Sequence, residues 1–283
     1  MVVAAAREIG DGEVVFVGMR LPLLAFCLAR STHAPTAIGV FENGIIRDSP
    51  PLGFLVTMSD GPNVSDALWC TEMREIMGLM QAGRVSLGFI GGAQVDRFGN
   101  LNTTYVGAAA GRGTRLPGSG GGGDIACLSG RHVVIMAHER RRFVERVDYR
   151  TSPGHGEGGD WRRRVGLVGG GPAAVITTLG VFRFHATTRE MVLTSRHPGI
   201  AVDAVQAETG WPLAVAPDLT ETRPPSPEEL ALVRRFDPDG FWTGGRSRGA
   251  RDSSASISPG RTAIRRAPSS FPGAGCRSAW TRR

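Results

Sequence analysis

The 283-residue chain contains no lysine, and all 33 of its fixed cationic side chains are arginine. That absence excludes two chemistries at once. A Walker A loop needs its Gly-Lys-Ser/Thr, and imine or pyridoxal catalysis needs a lysine amine. Cysteine is sparse: Cys27, Cys70, Cys127 and Cys276 stand far apart, without a Cys-x-x-Cys pair or a Cys/His cluster. Neither a zinc site nor a disulfide framework is expected, and the thiols read as buried free side chains. In the His138–Phe143 run the fifth position is Arg142 rather than histidine, so the His-Glu-x-x-His zinc motif is absent and no metal site is expected. No apolar run reaches the about 18 residues that a membrane helix needs, so no membrane partner is expected. Residues 1–13 carry acids and lack the basic-then-apolar layout of a signal peptide, which makes a cytoplasmic protein the expectation.

The net charge of +7 invites a nucleic-acid reading, but its location argues against one. Residues 244–283 hold nine arginines and a single acid, Asp252, a charge of +8 that leaves residues 1–243 at −1. The basic character belongs to this segment, which is rich in Gly, Ser, Pro and Arg and has no apolar periodicity. It is expected to be a disordered tail over 244–283, after a folded body over 1–243. A basic nucleic-acid-binding protein finds support in this tail alone, and no nucleic-acid partner is expected for the body.

The body alternates short apolar segments with helical ones. Buried strands are predicted over 13–18, 36–42, 85–90, 132–136 and 173–179, with shorter ones near Val181 and over 191–194. Helices are predicted over 21–30, with Pro22 in the first turn, and over 65–84, where Leu68, Met73, Ile76 and Met80 recur on one face. Ser226, Pro227 and Glu229 spell the N-cap, N1 and N3 positions of a capping box. The alternation implies an α/β fold: an open, mostly parallel sheet with flanking helices, more mixed in its second half.

Three motifs stand out. Phe41-Glu42-Asn43-Gly44 puts a carboxylate at the end of an apolar strand, where α/β sheets bind ligands. Such a carboxylate can attack a thioester, although turn acids more often only solvate a loop. Gly91-Gly92 leads into a turn dense in amide and carboxylate groups, Gln94, Asp96 and Asn100 among them, which equally fits a turn held by its own side chains. Gly118-Ser119-Gly120-Gly121-Gly122-Gly123 formally contains Gly-x-Gly-x-x-Gly, but it follows a polar stretch rather than a buried strand. That context argues against a dinucleotide site; such a turn can instead offer backbone N–H groups to a developing oxyanion or to coenzyme A. The arginines at 140–142 suit either an anionic partner or a solvated face.

Taken together and in this order, FENGIIRDSP (41–50), FIGGAQVDRFGNLNTT (89–104), TRLPGSGGGGDIA (114–126) and VVIMAHERRRFVERVDYRTSPG (133–154) resemble the β-type subunits of family I coenzyme A transferases, the glutaconate CoA-transferase group in particular. The resemblance covers about residues 4–243 and implies the coenzyme A transferase fold. It implies Glu42 as a nucleophile that passes through a glutamyl-CoA thioester. It implies Gly120 and Gly121 as the oxyanion- and CoA-facing loop, and Asn43, Gly44, Gln94, Asp96 and Asn100 as site-shaping residues. Coenzyme A enters as a co-substrate, with no permanently bound cofactor. The implied partners are an α-type subunit, an acyl-CoA and a carboxylic acid. Two departures stand against the pattern. Relatives commonly carry glycine where this chain has Arg20, a change that would narrow the pocket, recruit an acidic substrate or mark a loss of transfer; the tail after 243 has no counterpart. A CoA-ester hydrolase of the ring-opening type and a non-catalytic partner subunit are the competing readings on the same scaffold.

Overall fold

The computed structural model describes residues 1–107 and 113–244. The chain opens with α1 (Val2–Ala6) and β1 (Val14–Phe16), then α2 (Leu21–Arg30), in which every side chain from Leu23 to Ala29 is buried. A helix apolar on all sides needs cover on all sides. β2 (Ile38–Val40) is followed by a turn into β3 (Ile45–Arg47), the short α3 (Gly61–Val64), β4 (Trp69–Cys70), α4 (Met73–Gln81) and β5 (Leu87–Ile90). Two small hairpins come next: β6 (Gln94–Val95) with β7 (Leu101–Asn102), and β8 (Tyr105–Val106) with β9 (Thr114–Arg115). The rest runs α5 (Gly122–Leu128), β10 (Arg131–Ile135), α6 (Trp161–Arg164), β11 (Pro172–Ile176), β12 (Gly180–Phe184), β13 (Met191–Arg196), α7 (Val202–Ala207), β14 (Ala214–Glu221) and α8 (Pro227–Phe236).

One ten-stranded sheet organises these elements in the order β14-β13-β12-β11-β10-β5-β1-β2-β3-β4. Its centre, from β11 to β2, is parallel, while β12 and β3 join antiparallel at either side and β14 pairs parallel with β13. Strand pleating sends neighbouring residues to opposite faces. Val15, Phe89, Val133 and Ile176 therefore enter one apolar layer, with Phe26 and Phe41, while Phe16, Ile90, Val134 and Val175 enter the other, with Ile76 and Phe182. Both faces are covered, as a parallel block requires.

The helix predicted over 65–84 begins only at Met73. Leu68, which carried its apolar register, is exposed in a loop, and Trp69–Cys70 are instead taken up by pairing with Ile45–Ile46. Ile76 and Met80, on the inner face of α4, are buried as the spacing predicted. The thiols also depart from expectation. Cys27 is buried, which pushes its thiol up to about 12, but Cys70 on the edge strand is exposed and Cys127 is half-buried. Cys276 and, from residue 245 on, the segment expected to be disordered lie outside the described residues.

The two ends of the body meet. Arg7 donates to the carboxylate of Glu229 at 2.9 Å and to the carbonyls of Arg223 and Pro224. The Ser226–Glu229 capping box is formed in both directions.

Candidate active site

Glu42 stands at the carboxyl edge of the parallel block. Phe16 and Val40 are register partners, and the Val17 N–H donates to the Val40 carbonyl at 2.8 Å, so β2 ends in the middle of the edge. Phe41 is buried, and a tight turn returns the chain to β3 through Gly44 N–H to the Phe41 carbonyl at 3.0 Å. Gly44 makes this turn possible. Its φ is +103°, and a β-carbon there would lie 2.1 Å from the Thr71 carbonyl oxygen. The Thr71 N–H in turn donates to the Gly44 carbonyl at 2.8 Å. Glu42, at the tip, is left half-buried with its carboxylate free of the turn's own bonding. Asn43 points the other way and donates to the Met58 carbonyl at 3.0 Å and to Ser59 Oγ at 3.1 Å.

That second contact ties the turn to the loop between β3 and β4, which is built around a buried arginine. The guanidinium of Arg47 is fully enclosed and donates to the carbonyls of Ser49, Pro50, Asn63 and Ser65. Among the described residues no carboxylate makes a salt bridge to this cation; converging backbone oxygens hold it, and it satisfies those carbonyls away from water. Sequence reading did not single out Arg47. Its signal was a charged residue inside the apolar run Ile45-Ile46-Arg47.

The glycine-rich turn arrives from the other side. Gly118 N–H donates to the Thr103 carbonyl and Gly122 N–H to the Ser119 carbonyl, and Gly121 becomes the N-cap of α5. The turn thus opens a helix, but the strand before it, β9, is an exposed hairpin strand outside the main sheet. Gly121 is buried against the Glu42 carboxylate: a β-carbon on it would lie 3.2 Å from Oε1 and 3.3 Å from Cδ, with Met77 Cε at 3.5 Å. Gly120 is exposed, at φ +47°, with nothing within 4 Å of the equivalent point. The structure therefore brings Gly121 to Glu42 and leaves Gly120 at the rim.

Gln94, Asp96 and Asn100 act at one remove. Gln94 Oε1 accepts from Asn102 Nδ2 at 2.8 Å and from the Asp148 N–H at 3.1 Å. Asp96 is buried and accepts from the Phe98 and Asn100 N–H groups and from Asn100 Nδ2. Burial raises its carboxyl above the usual range, against the pull of those donors. Asn100 accepts from the N–H groups of Gly154 and Gly156 and donates to the Gly156 carbonyl. These side chains fix the segment 148–156. Its Ser152 Oγ lies 3.2 Å from where a β-carbon on Gly122 would sit, one residue from the glycine that meets Glu42.

The arginine run is held internally. Arg140 donates to the carbonyls of Ala207 and Thr209, and Arg141 and Arg142 pair with Glu139. Arg20 occupies a backbone conformation of φ +71° and ψ −126°, a region that L side chains rarely adopt. Its guanidinium lies 5.8 Å from the ring centre of Trp242. Among the described residues, no group of three or more His, Cys, Asp and Glu side chains is arranged to hold a metal ion.

A parallel α/β sheet with a carboxylate lifted from its carboxyl edge and a glycine turn closed over it agrees with the chain's similarity to known proteins. The sequence model of the family described as coenzyme A transferase matches residues 1–208, and the chain belongs to that family. It is 40% identical over 238 residues to the B subunit of 3-oxoadipate CoA-transferase from Pseudomonas knackmussii, covering 84% of this chain and 91% of that one. It is 36% identical over 247 residues to the B subunit of glutaconate CoA-transferase from Acidaminococcus fermentans, covering 83% and 90%. The crystal structure of glutaconate coenzyme A-transferase from Acidaminococcus fermentans superposes with a TM-score of 0.79 at 33% identity, over 85% of this chain and 94% of that one.

Proposed function

We propose that this chain is the β-type subunit of a heteromeric coenzyme A transferase and that Glu42 carries the group being moved. The observation that supports this most is the seating of the Glu42 carboxylate against the Gly121 turn at the sheet's carboxyl edge. Both relatives are B subunits by name, which implies an A-type subunit as partner for this chain as well.

In this reading a Glu42 carboxylate oxygen attacks the carbonyl carbon of the donor acyl-CoA. The carbon–sulfur bond breaks, and CoA thiolate leaves an acyl-glutamyl anhydride. The thiolate then attacks Glu42 Cδ, expels the donor acid as its carboxylate and forms a glutamyl-CoA thioester. The acceptor carboxylate attacks that thioester and releases thiolate, which attacks the acceptor acyl carbon and restores Glu42. No proton is gained or lost across the cycle, and one thioester is exchanged for another of similar energy. Each attack creates an oxyanion, and the backbone N–H groups of the Gly120-Gly121 turn are the donors assigned to it; losing one such donor costs about 3–4 kcal/mol. Asn43 and Gly44 hold the nucleophile's turn, while Gln94, Asp96 and Asn100 hold the segment behind the glycine turn.

The test is mass spectrometry of the chain, co-expressed with its A-type subunit, after incubation with a panel of acyl-CoAs and borohydride reduction. A modification mapping to Glu42 and lost in Glu42→Ala is the expected result. Acyl-CoA consumption with CoA release and an unmodified Glu42 would overturn it in favour of hydrolysis.

A further inference from the structure

α4 carries a side chain to Glu42 that the transfer mechanism does not use. Ile76 and Met80 bury the inner face of the helix. The start of the helix is tied to the Glu42 turn, because the Thr71 N–H, just ahead of Met73, donates to the Gly44 carbonyl at 2.8 Å. The register of α4 against Glu42 is thereby fixed, and it brings the half-buried Met77 to the glycine turn. The point that a β-carbon on Gly121 would occupy lies 3.5 Å from Met77 Cε, 3.2 Å from Glu42 Oε1 and 3.3 Å from Glu42 Cδ. The space left by the missing side chain is therefore a slot about one heavy atom wide. The Glu42 carboxylate bounds it on one side and the thioether methyl on another.

Such a slot matters because Cδ is the carbon at which a glutamyl-CoA thioester is open to water. Hydrolysis there adds the water oxygen to Cδ and breaks the carbon–sulfur bond. Glu42 is restored as its carboxylate, CoA leaves as the thiol with one of the water's protons, and the other proton goes to solvent. An attacking water needs polar groups to hold it and an acceptor for its proton. The methyl of Met77 offers neither. Methionine suits the place for a second reason: three rotatable bonds let its side chain give way to a bulky thiolate and close again. We infer that Met77 is a shielding residue, which favours transfer over hydrolysis by keeping a positioned water out of the slot beside Glu42 Cδ. The inference rests on the glutamyl-CoA mechanism proposed above and adds to it the side chain that protects the intermediate.

The experiment compares wild type with Met77→Ala, which empties the wall, Met77→Gln, which keeps its length but adds an amide, and Met77→Leu, which keeps it apolar. Met73→Ala, at an exposed position one turn earlier on α4, is the control. Each chain is co-expressed with the A-type subunit and loaded with acetyl-, glutaryl- or succinyl-CoA. The donor is then removed, and decay of the Glu42 adduct is followed by mass spectrometry without an acceptor acid, in water labelled with heavy oxygen. In the alanine and glutamine variants the adduct decays at least about tenfold faster than in wild type, and the labelled oxygen appears in the Glu42 carboxylate. The leucine variant and the control keep the wild-type lifetime. Lifetimes in the alanine and glutamine variants equal to wild type overturn the inference and leave the transfer mechanism standing, as does equal acceleration in the control. If wild type consumes the donors without ever forming an adduct on Glu42, the transfer mechanism falls and the inference falls with it.

Discussion

Gly121 and Glu42 stand so close that the space for one β-carbon separates the glycine from the carboxylate: the added atom would lie 3.2 Å from Oε1. Gly121 itself has φ −76°, which alanine adopts without strain. Gly121→Ala therefore presses on the Glu42 carboxylate, the proposed nucleophile, rather than on the fold. A misplacement of this order lowers turnover by about 10- to 100-fold, with a melting temperature within about 2 °C of wild type. Steady-state kinetics and calorimetry on the complex check both halves. Gly120→Ala meets no neighbour and carries only the cost of its left-handed φ, about 1 kcal/mol.

Gly44→Ala has the opposite character. The new β-carbon would meet the Thr71 carbonyl at 2.1 Å, at a φ of +103°. Relief requires opening the contact between the Glu42 turn and β4. The expected cost is about 3 kcal/mol or more, seen as a melting temperature lowered by roughly 6–12 °C together with loss of the Glu42 adduct.

Asn100→Ala strips partners from Asp96, from two glycine N–H groups and from a carbonyl, all in the segment behind the glycine turn. Each buried group left unpaired costs about 1–3 kcal/mol, so denaturant unfolding shows a loss of about 3–5 kcal/mol. Asp96→Asn keeps the volume and an acceptor oxygen, and loses less.

Acid sensitivity follows from three buried imidazoles. Burial lowers His132 to about 3 and His138 and His155 to about 4. Their unfolded counterparts protonate near pH 6.5. The unfolded chain thus takes up protons first, and the contribution is full above about pH 6.5 and lost as pH falls towards 4. Each ring adds a slope of up to about 1.4 kcal/mol per pH unit, about 4 for the three. Melting temperature measured from pH 7 to 4.5 should fall steeply, and His138→Gln should remove about a third of the slope.

The elements legible in the sequence were those whose signals are local. Pro22 and the unbroken apolar run mark α2, the Ser226-Pro227-Glu229 spacing marks α8, and residues 85–90 mark β5. The position of Glu42 at a strand's end was equally readable, because Asn43-Gly44 declares the turn. Long-range contacts decided the rest. Trp69–Cys70 read as helix until β3 claimed them as a sheet edge. β14 gave no strand signal: Pro217 and Asp218 interrupt it and its side chains are largely exposed. Both are tolerated only because it is an edge strand. Nor does spacing along the chain reveal that Gly121, 79 positions after Glu42, closes on its carboxylate.

The clasp of Arg7 on Glu229 and on the carbonyls of Arg223 and Pro224 makes the body a closed circuit, and this bears on its synthesis. A ribosome delivers the acceptors of Arg7 only after it has added more than two hundred residues beyond Arg7. Until then the N-terminal helix of the nascent chain has no latch, and α2 lacks the cover of α8. Glu42 and Gly121 are both translated before Arg223, Pro224 and Glu229, so the edge that bears them is delivered before the clasp that fastens the scaffold can form.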